Sequence, residues 1–239
     1  MKRLDQVITE QFGSRTKAQD AIKAKRVQVN GKVITKPGFK VEDTDTIHIE
    51  AIENEFVSRA GNKLQAAFDR FDIDVQDQVA LDVGASTGGF TEVCLNHGAK
   101  KVYALDVGHL QLAKSLAEDS RVIKMEGFNA KDIQADTFAD PIDFICMDVS
   151  FISCRKVLEI LFEKVNFQHM AVLIKPQFEC GPHYLNKHGV LTNEKIAQQI
   201  VIDTERFCMR KFRNVKTIKS PIKGRNGNQE YICYASIVR

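Results

Sequence analysis

From residue 79 onward the chain repeats one arrangement: a short apolar run, a polar break, then a stretch with helical spacing. The apolar runs fall at 79–83, 102–106, 122–125, 144–149 and 170–174, and helix-like segments near 90–97, 109–118 and 153–164 lie between them. Runs this short and continuously aliphatic suit strands buried on both faces. Strands that alternate with helices predict a doubly wound, mostly parallel α/β sheet. A long helix is predicted over about 193–211, and residues 215–219 and 231–238 read as a closing antiparallel hairpin.

The first fifty residues follow a different pattern. Leu4, Val7, Ile8 and Phe12 fall at helical spacing, and Gly13 reads as the stop. Ser14 is placed to cap a second helix whose inner face carries Ala18, Ala21 and Ile22. Val27-Gln28-Val29 and Val33-Ile34 flank Asn30-Gly31, a strong hairpin signal because both turn positions need positive φ. Ile47-His48-Ile49 adds a short strand. Residues 1–50 are therefore a small α+β unit and residues 51–58 a linker. Residues 59–239 form the α/β unit, opening on a helix capped by Ser58 that runs through Asp69 and turns Leu64, Ala67 and Phe68 inward.

Composition bears on both units. The chain has 239 residues, 44% of them hydrophobic, enough for one large domain and a small one. No apolar run approaches the roughly 20 residues of a membrane helix, and Met1-Lys2-Arg3-Leu4-Asp5 lacks the apolar core of a signal peptide. A cytoplasmic protein is expected. The six cysteines form no C-x-x-C pair, so buried free thiols are expected and no metal. The net charge is only +3, yet residues 1–40 hold ten Lys and Arg against three acids, a local balance of +7. Charge riding on a compact folded unit points to a polyanionic partner.

The stretch Asp82-Val83-Gly84-Ala85-Ser86-Thr87-Gly88-Gly89-Phe90 leaves the first parallel strand and enters a helix. Its glycines and small hydroxyl residues let the backbone approach a ligand closely. Three readings compete. Dinucleotide binding wants G-x-G-x-x-G, which this loop lacks. Residues 84–88 formally match the G-x-S-x-G nucleophile elbow. S-adenosylmethionine binding predicts an acid at the end of the next strand, where its carboxylate takes ribose hydroxyls, and Asp106 stands there. Asp106 as a helix N-cap is the plainer alternative. Asp148 ends the fourth strand, so Asp82, Asp106 and Asp148 would share the carboxyl rim where open α/β sheets bind ligands. Lys175 ends a strongly apolar strand before Pro176, Lys63 lies on the helix before the first strand, and Glu230 opens the last strand.

These residues, in this order, resemble the TlyA family, which couples an RNA-binding module like that of ribosomal protein S-four to an FtsJ-like methyltransferase. The matching stretches include Arg3-Leu4-Asp5, Ser14-Arg15, Val27-Gln28-Val29-Asn30-Gly31, Val57-Ser58-Arg59, residues 82–91 and 104–108, Met147-Asp148-Val149-Ser150-Phe151-Ile152-Ser153, Ile174-Lys175-Pro176-Gln177-Phe178-Glu179, Ser220-Pro221-Ile222 and Gly227-Asn228-Gln229-Glu230. They span nearly the whole chain. The resemblance implies a Rossmann-like class I methyltransferase sheet, S-adenosylmethionine as cofactor, and ribosomal RNA or a ribosomal subunit as partner.

It also implies a Lys-Asp-Lys-Glu tetrad for ribose 2′-O-methylation, which maps to Lys63, Asp148, Lys175 and Glu230. Family relatives often carry glycine and an apolar residue where this chain has Ala60 and Asn62. Cofactor contacts are expected from Asp82, Gly84, Ser86, Thr87, Gly88, Gly89, Phe90, Asp106 and Asp148. Burial and a neighbouring cation both favour a neutral lysine. Lys175 is therefore expected to take the 2′-proton, with Lys63 aiding it and orienting the ribose. Asp148 and Glu230 would hold the two lysines. Arg3, Arg15, Lys17, Lys23 and Lys25 are expected to grip phosphates. The resemblance implies cytidine as the nucleotide. Rival readings are an RNA-binding protein with an inactive methyltransferase fold, a methyltransferase of another substrate, and a membrane-active haemolysin. No strongly amphipathic segment supports the last. Nothing in the sequence sets an oligomeric state.

Overall fold

The computed structural model of the chain describes residues 1–12, 15–50 and 56–237, without the side chains of Thr16, Lys17 and Arg225. The helix stop at Gly13, the cap at Ser14, most of the linker read at 51–58, and Val238 fall outside the described residues. The chain divides into two compact units, Met1–Glu55 and Phe56–Arg239.

The first unit runs β1 (Lys2–Arg3), α1 (Leu4–Val7), α2 (Thr9–Phe12), α3 (Arg15–Lys23), β2 (Val27–Val29), β3 (Lys32–Val33), β4 (Lys40–Val41) and β5 (Ile47–Ile49). Strand β2 pairs antiparallel with β3 and with β5, and β1 pairs with β4. Asn30 and Gly31 hold φ of 50° and 74°, the left-handed pair the hairpin turn demands. Leu4, Ile8, Ala18, Ala21, Ile22, Val27, Val29 and Val41 form the core of this unit. The single helix expected from Leu4 to Phe12 is broken between α1 and α2. Thr9 Oγ1 donates to the Asp5 carbonyl at 2.6 Å, a side-chain bond that competes with the helical ladder.

Asp5 has no exposed surface. Its Oδ1 accepts from Arg3 Nε at 2.9 Å and its Oδ2 from Arg3 Nη2 at 3.0 Å. Oδ2 also accepts from Arg15 Nε at 3.1 Å and Gln19 Nε2 at 2.7 Å. The Arg3 guanidinium above all, then Gln19 and Arg15, holds the carboxyl well below the usual range against the opposing effect of burial.

In the second unit, helix α4 (Ala60–Phe71) precedes a seven-stranded sheet. Its strands are β6 (Val79–Val83), β7 (Lys101–Asp106), β8 (Val122–Glu126), β9 (Phe144–Met147), β10 (His169–Ile174), β11 (Asn214–Lys219) and β12 (Tyr231–Ser236). Across the sheet the order is β11-β12-β10-β9-β6-β7-β8. Strands β8, β7, β6, β9 and β10 pair in parallel, and β12 is antiparallel to both β10 and β11. The expected terminal hairpin is present, but β12 inserts between β10 and the edge strand β11. One face packs Leu64, Ala67 and Phe68 of α4 with Phe90, Val93 and Cys94 of α5 (Gly89–Asn96). The other packs Val157, Leu158 and Leu161 of α7 (Cys154–Lys164) with Ala197 and Ile200 of α9 (Glu194–Cys208). Between these last two helices, α8 (Pro176–Glu179) is a single turn that starts on the proline. Cys94, Cys146, Cys154, Cys208 and Cys233 are buried free thiols, and Cys180 is half-buried.

Several local expectations are corrected. Arg59, not Ser58, occupies the N-cap position of α4, without a side-chain cap, and the Ser58 carbonyl accepts from Gly61 N. The helix near 109–118 shrinks to α6 (Lys114–Ala117). Glu126 takes the N–H groups of Leu110, Gln111 and Leu112 at 2.8 to 3.1 Å, which diverts them from a helical ladder. The strand expected at 144–149 stops at Met147.

Asp5→Asn in the full chain is expected to lower the hydrogen-exchange protection of α1 and α3 by roughly 1–3 kcal/mol near pH 7. The Asp5 carboxyl is depressed in the folded state. Its contribution is therefore complete above the ordinary carboxylate value of about 4 and is lost as pH falls below it, so the gap between wild type and variant should close in acid.

Candidate active site

Two strand registers assemble a site at the carboxyl ends of the parallel strands. Strand β6 is flanked by β7 and β9, with Val83 opposite Met147, so Gly84 and Asp148 leave the sheet side by side. Ile174 of β10 faces Tyr231 of β12, which brings the residues just beyond them, Lys175 and Glu230, to the same rim.

Four ionisable side chains meet there as two pairs. Lys63 lies in the first turns of α4, and its Nζ donates to Glu230 Oε2 at 2.6 Å. Lys175 Nζ stands 2.5 Å from Asp148 Oδ1 as an ion pair outside hydrogen-bonding alignment, and it donates to Ser150 Oγ at 2.8 Å. Lys63, Lys175 and Glu230 are buried, at 9%, 8% and 3% exposure. Gln177, also buried, reaches Glu230 Oε1 through Nε2 at 3.5 Å and keeps its own Oε1 without a partner. The sequence reading passed over Gln177 and Ser150. Each lies two residues beyond a tetrad residue, inside a stretch that carries the family resemblance.

The glycine loop borders a hollow of about 400 Å³, within the range of small-ligand sites. Gly84, Ser86, Asp106 and Asp148 line it, as do Gln111 and Asn129, which the sequence reading did not single out. Gly84 holds φ of 84°, and a Cβ there would sit 2.7 Å from the Asp148 carbonyl oxygen, so this close approach needs glycine. Asp106 caps no helix. Its Oδ2 accepts from Ser86 N and its Oδ1 from Gly108 N, each at 2.7 Å, which ties the glycine loop to the next strand end. Thr87, Gly88, Gly89 and Phe90 do not line the hollow. The Thr87 carbonyl accepts from Ala113 N, Gly88 is the N-cap and Gly89 the first residue of α5, and Phe90 packs in the core. A separate hollow of about 510 Å³, lined by Arg70, Phe71, Asp72, Lys216, Thr217 and Ile218, contains none of these residues.

Asp82 lies beneath the loop with no exposed surface. Thr91 Oγ1 donates to its Oδ2 at 2.7 Å, while its Oδ1 is without a partner. Burial pushes its carboxyl up to about 7, the Thr91 bonds oppose that rise, and the charges of Asp148 and Asp106 add to it.

In the first unit, Arg3 and Arg15 are not free cations but share Asp5, with their side chains 39% and 49% exposed. Lys23 and Lys25 are exposed, and the Lys17 side chain lies outside the described atoms. No group of three or more His, Cys, Asp or Glu suited to a metal occurs among the described residues, and no helix among them is long and apolar enough to cross a membrane.

A mostly parallel sheet with one antiparallel strand inserted next to its edge, and a glycine loop leaving β6, the middle one of its five consecutive parallel strands, is the architecture of a Rossmann-like methyltransferase. The FtsJ-like methyltransferase model matches residues 56–236, and the S4 domain model matches residues 2–47. The chain belongs to the TlyA family of FtsJ-like methyltransferases that carry an S4 domain. It is 46% identical to Hemolysin A of Brachyspira hyodysenteriae over 92% of this chain and 93% of that one. It is 37% identical to the 16S/23S rRNA (cytidine-2′-O)-methyltransferase TlyA of Mycobacterium tuberculosis, over 92% of this chain and 84% of the relative. A solved structure described as a hemolysin from Streptococcus thermophilus superposes with a TM-score of 0.77 at 33% identity, covering 98% of this chain and 88% of that one.

The raised Asp82 carboxyl sets a stability test. Between the ordinary value of about 4 and the folded value of about 7, the unfolded chain has released a proton that the folded chain retains. Stability should therefore fall as pH rises through that window, by about 1.4 kcal/mol per unit. Asp82→Asn removes the ionisation, so it should raise the melting temperature relative to wild type more at pH 8 than at pH 4. An equal difference at both pH values would contradict it.

Proposed function

We propose that the chain binds S-adenosylmethionine in the hollow beside the glycine loop and methylates a ribose 2′-hydroxyl of ribosomal RNA, at cytidine. The observation that carries this reading is the pair of contacts Lys63–Glu230 and Lys175–Asp148 on the rim next to that loop. Cytidine and ribosomal RNA are carried over from the name of the Mycobacterium tuberculosis relative.

The residues at hand suit the cofactor. Gly84 lines the hollow and, lacking a Cβ, lets the Asp148 backbone close against the glycine loop. Asp106 retains lone pairs for ribose hydroxyls after its two backbone bonds. When bound, S-adenosylmethionine supplies an electrophilic methyl group whose bonding electrons depart with a neutral thioether. To act as the base, Lys175 must first give up its ammonium proton. Nζ takes the 2′-proton as the ribose oxygen forms its bond to carbon. Lys63, held by Glu230, orients the ribose. Alignment of oxygen, carbon and leaving group supplies much of the remaining acceleration.

Lys175→Ala is expected to lower methyl transfer to ribosomal RNA about 100-fold or more while leaving S-adenosylmethionine affinity near wild type. A wild-type rate would overturn the role of Lys175. Ribose-methylation mapping of ribosomal RNA from cells with and without the protein tests the substrate and the nucleotide.

The first unit would grip phosphates without reading sequence, through Arg3, Arg15, Lys17, Lys23 and Lys25. Reversing Lys23 and Lys25 to Glu should weaken RNA binding and reduce the salt slope of log K by roughly 1–2. Filter binding from 50 to 300 mM salt measures both, and an unchanged slope would remove these two lysines from the interface.

A further inference from the structure

Glu230 is held by an absence as well as by Lys63. Gly224 lies six residues before it, with φ of −64° and ψ of 176°, a backbone conformation open to any residue. Its lack of a side chain therefore needs a cause other than backbone conformation. A Cβ on Gly224 would fall against Glu230 Oε1, 2.7 Å from its Cδ and 3.4 Å from its Cγ.

Neither side of this contact can yield cheaply. Gly224 N donates to the Asn228 carbonyl at 2.9 Å, and Gly227 N donates to the Gly224 carbonyl at 3.0 Å. Asn228 is itself buried and clamped: Oδ1 accepts from Leu191 N at 3.0 Å and Nδ2 donates to the Gly189 carbonyl at 3.0 Å. At the other end, Glu230 immediately precedes the paired strand β12, and its carbonyl accepts from Ser220 N at 2.9 Å. Its carboxylate lies between Lys63 Nζ at 2.6 Å and Gln177 Nε2 at 3.5 Å, with 3% exposure. The softest degree of freedom is the Glu230 carboxylate: the added methyl meets Oε1, the oxygen that faces Gln177, and moving the planar group also moves Oε2, which holds Lys63.

We propose that Gly224 is a positioning residue for methyl transfer: its bare Cα is the wall against which the Glu230 carboxylate is seated so that it meets Lys63. This rests on the proposed role of Lys63 and Glu230. A single methyl group at position 224 displaces the carboxylate by the order of an ångström, drags or frees the Lys63 ammonium, and leaves the donor hollow, which Gly224 does not line, untouched.

The test uses four full-length proteins: wild type, Gly224→Ala, Glu230→Ala and the double variant. Single-turnover methyl transfer from labelled S-adenosylmethionine to ribosomal RNA from cells lacking the protein is measured, with donor affinity, RNA affinity and melting temperature. Gly224→Ala is expected to lower the transfer rate about 10-fold or more, as angstrom-scale misplacement does, with both affinities within about twofold of wild type. The double variant is expected to be no slower than Glu230→Ala, because the added methyl then has nothing to displace. A wild-type rate for Gly224→Ala, or the same loss on top of Glu230→Ala, overturns the proposal. If Gly224→Ala fails to fold, the double variant should fold again, since the clash is with the deleted side chain; continued unfolding also overturns it. A wild-type rate for Glu230→Ala instead overturns the catalytic reading itself.

Discussion

An ammonium group taken out of water must be given a counter-charge, and the second unit buries two of them within one rim. Lys63 and Lys175 are each about nine-tenths buried, and each has its own carboxylate, Glu230 and Asp148. Removing one partner of such a pair leaves an uncompensated charge that costs several kcal/mol, whereas apolar replacements would cost the fold little. Four charges in so small a space are thus poor evidence of a stability device. They make sense as a polar constellation that the surrounding packing is arranged to hold.

The sheet supplies that packing through topology. The tetrad comes from four separate places: α4, the end of β9, the end of β10 and the residue before β12. The insertion of β12 between β10 and β11 carries Glu230 to the rim, because the antiparallel register of β10 and β12 sets Ile174 opposite Tyr231. Beside it, the glycine loop is pinned from two directions. Asp106 holds the N–H of Ser86, and Asp148 reaches back through its N–H to the Val83 carbonyl. The hollow and the Lys175 ion pair thus share Asp148 as a common wall.

The first unit uses the same physics at smaller scale. About fifty residues bury little area, yet this unit keeps a fully buried Asp5. That carboxylate is satisfied by two arginines and a glutamine from three points in the sequence. It fixes α1 against α3 and sets the pose of two guanidinium groups that remain partly exposed. Guanidinium groups that would otherwise be flexible are thereby held in one pose.

Much of this was legible in the chain itself. Aliphatic runs of four to six residues betray a sheet buried on both faces, because few other structures tolerate them. Asn30-Gly31 marks its hairpin, and the stretch from Asp82 to Phe90 marks its loop, because only certain residues can take those backbone angles or approaches. Positions at the ends of predicted elements marked Asp148, Lys175, Lys63 and Glu230 as candidates, but their grouping as a tetrad came only through resemblance, since no periodicity links residues 63, 148, 175 and 230. Other features belonged to tertiary structure alone. The short α6 follows from Glu126 capturing three amides, the break between α1 and α2 from the Thr9 hydroxyl, and the clamp on Arg3 and Arg15 from the burial of Asp5. Gly224 shows the difference most clearly. Its backbone angles ask for no glycine, and its neighbours in sequence give no hint of one. The requirement arises from a carboxylate six residues away that a lysine on a different helix holds in place. Local covalent geometry is written in consecutive residues; the position of a buried charge is decided by every element that packs around it.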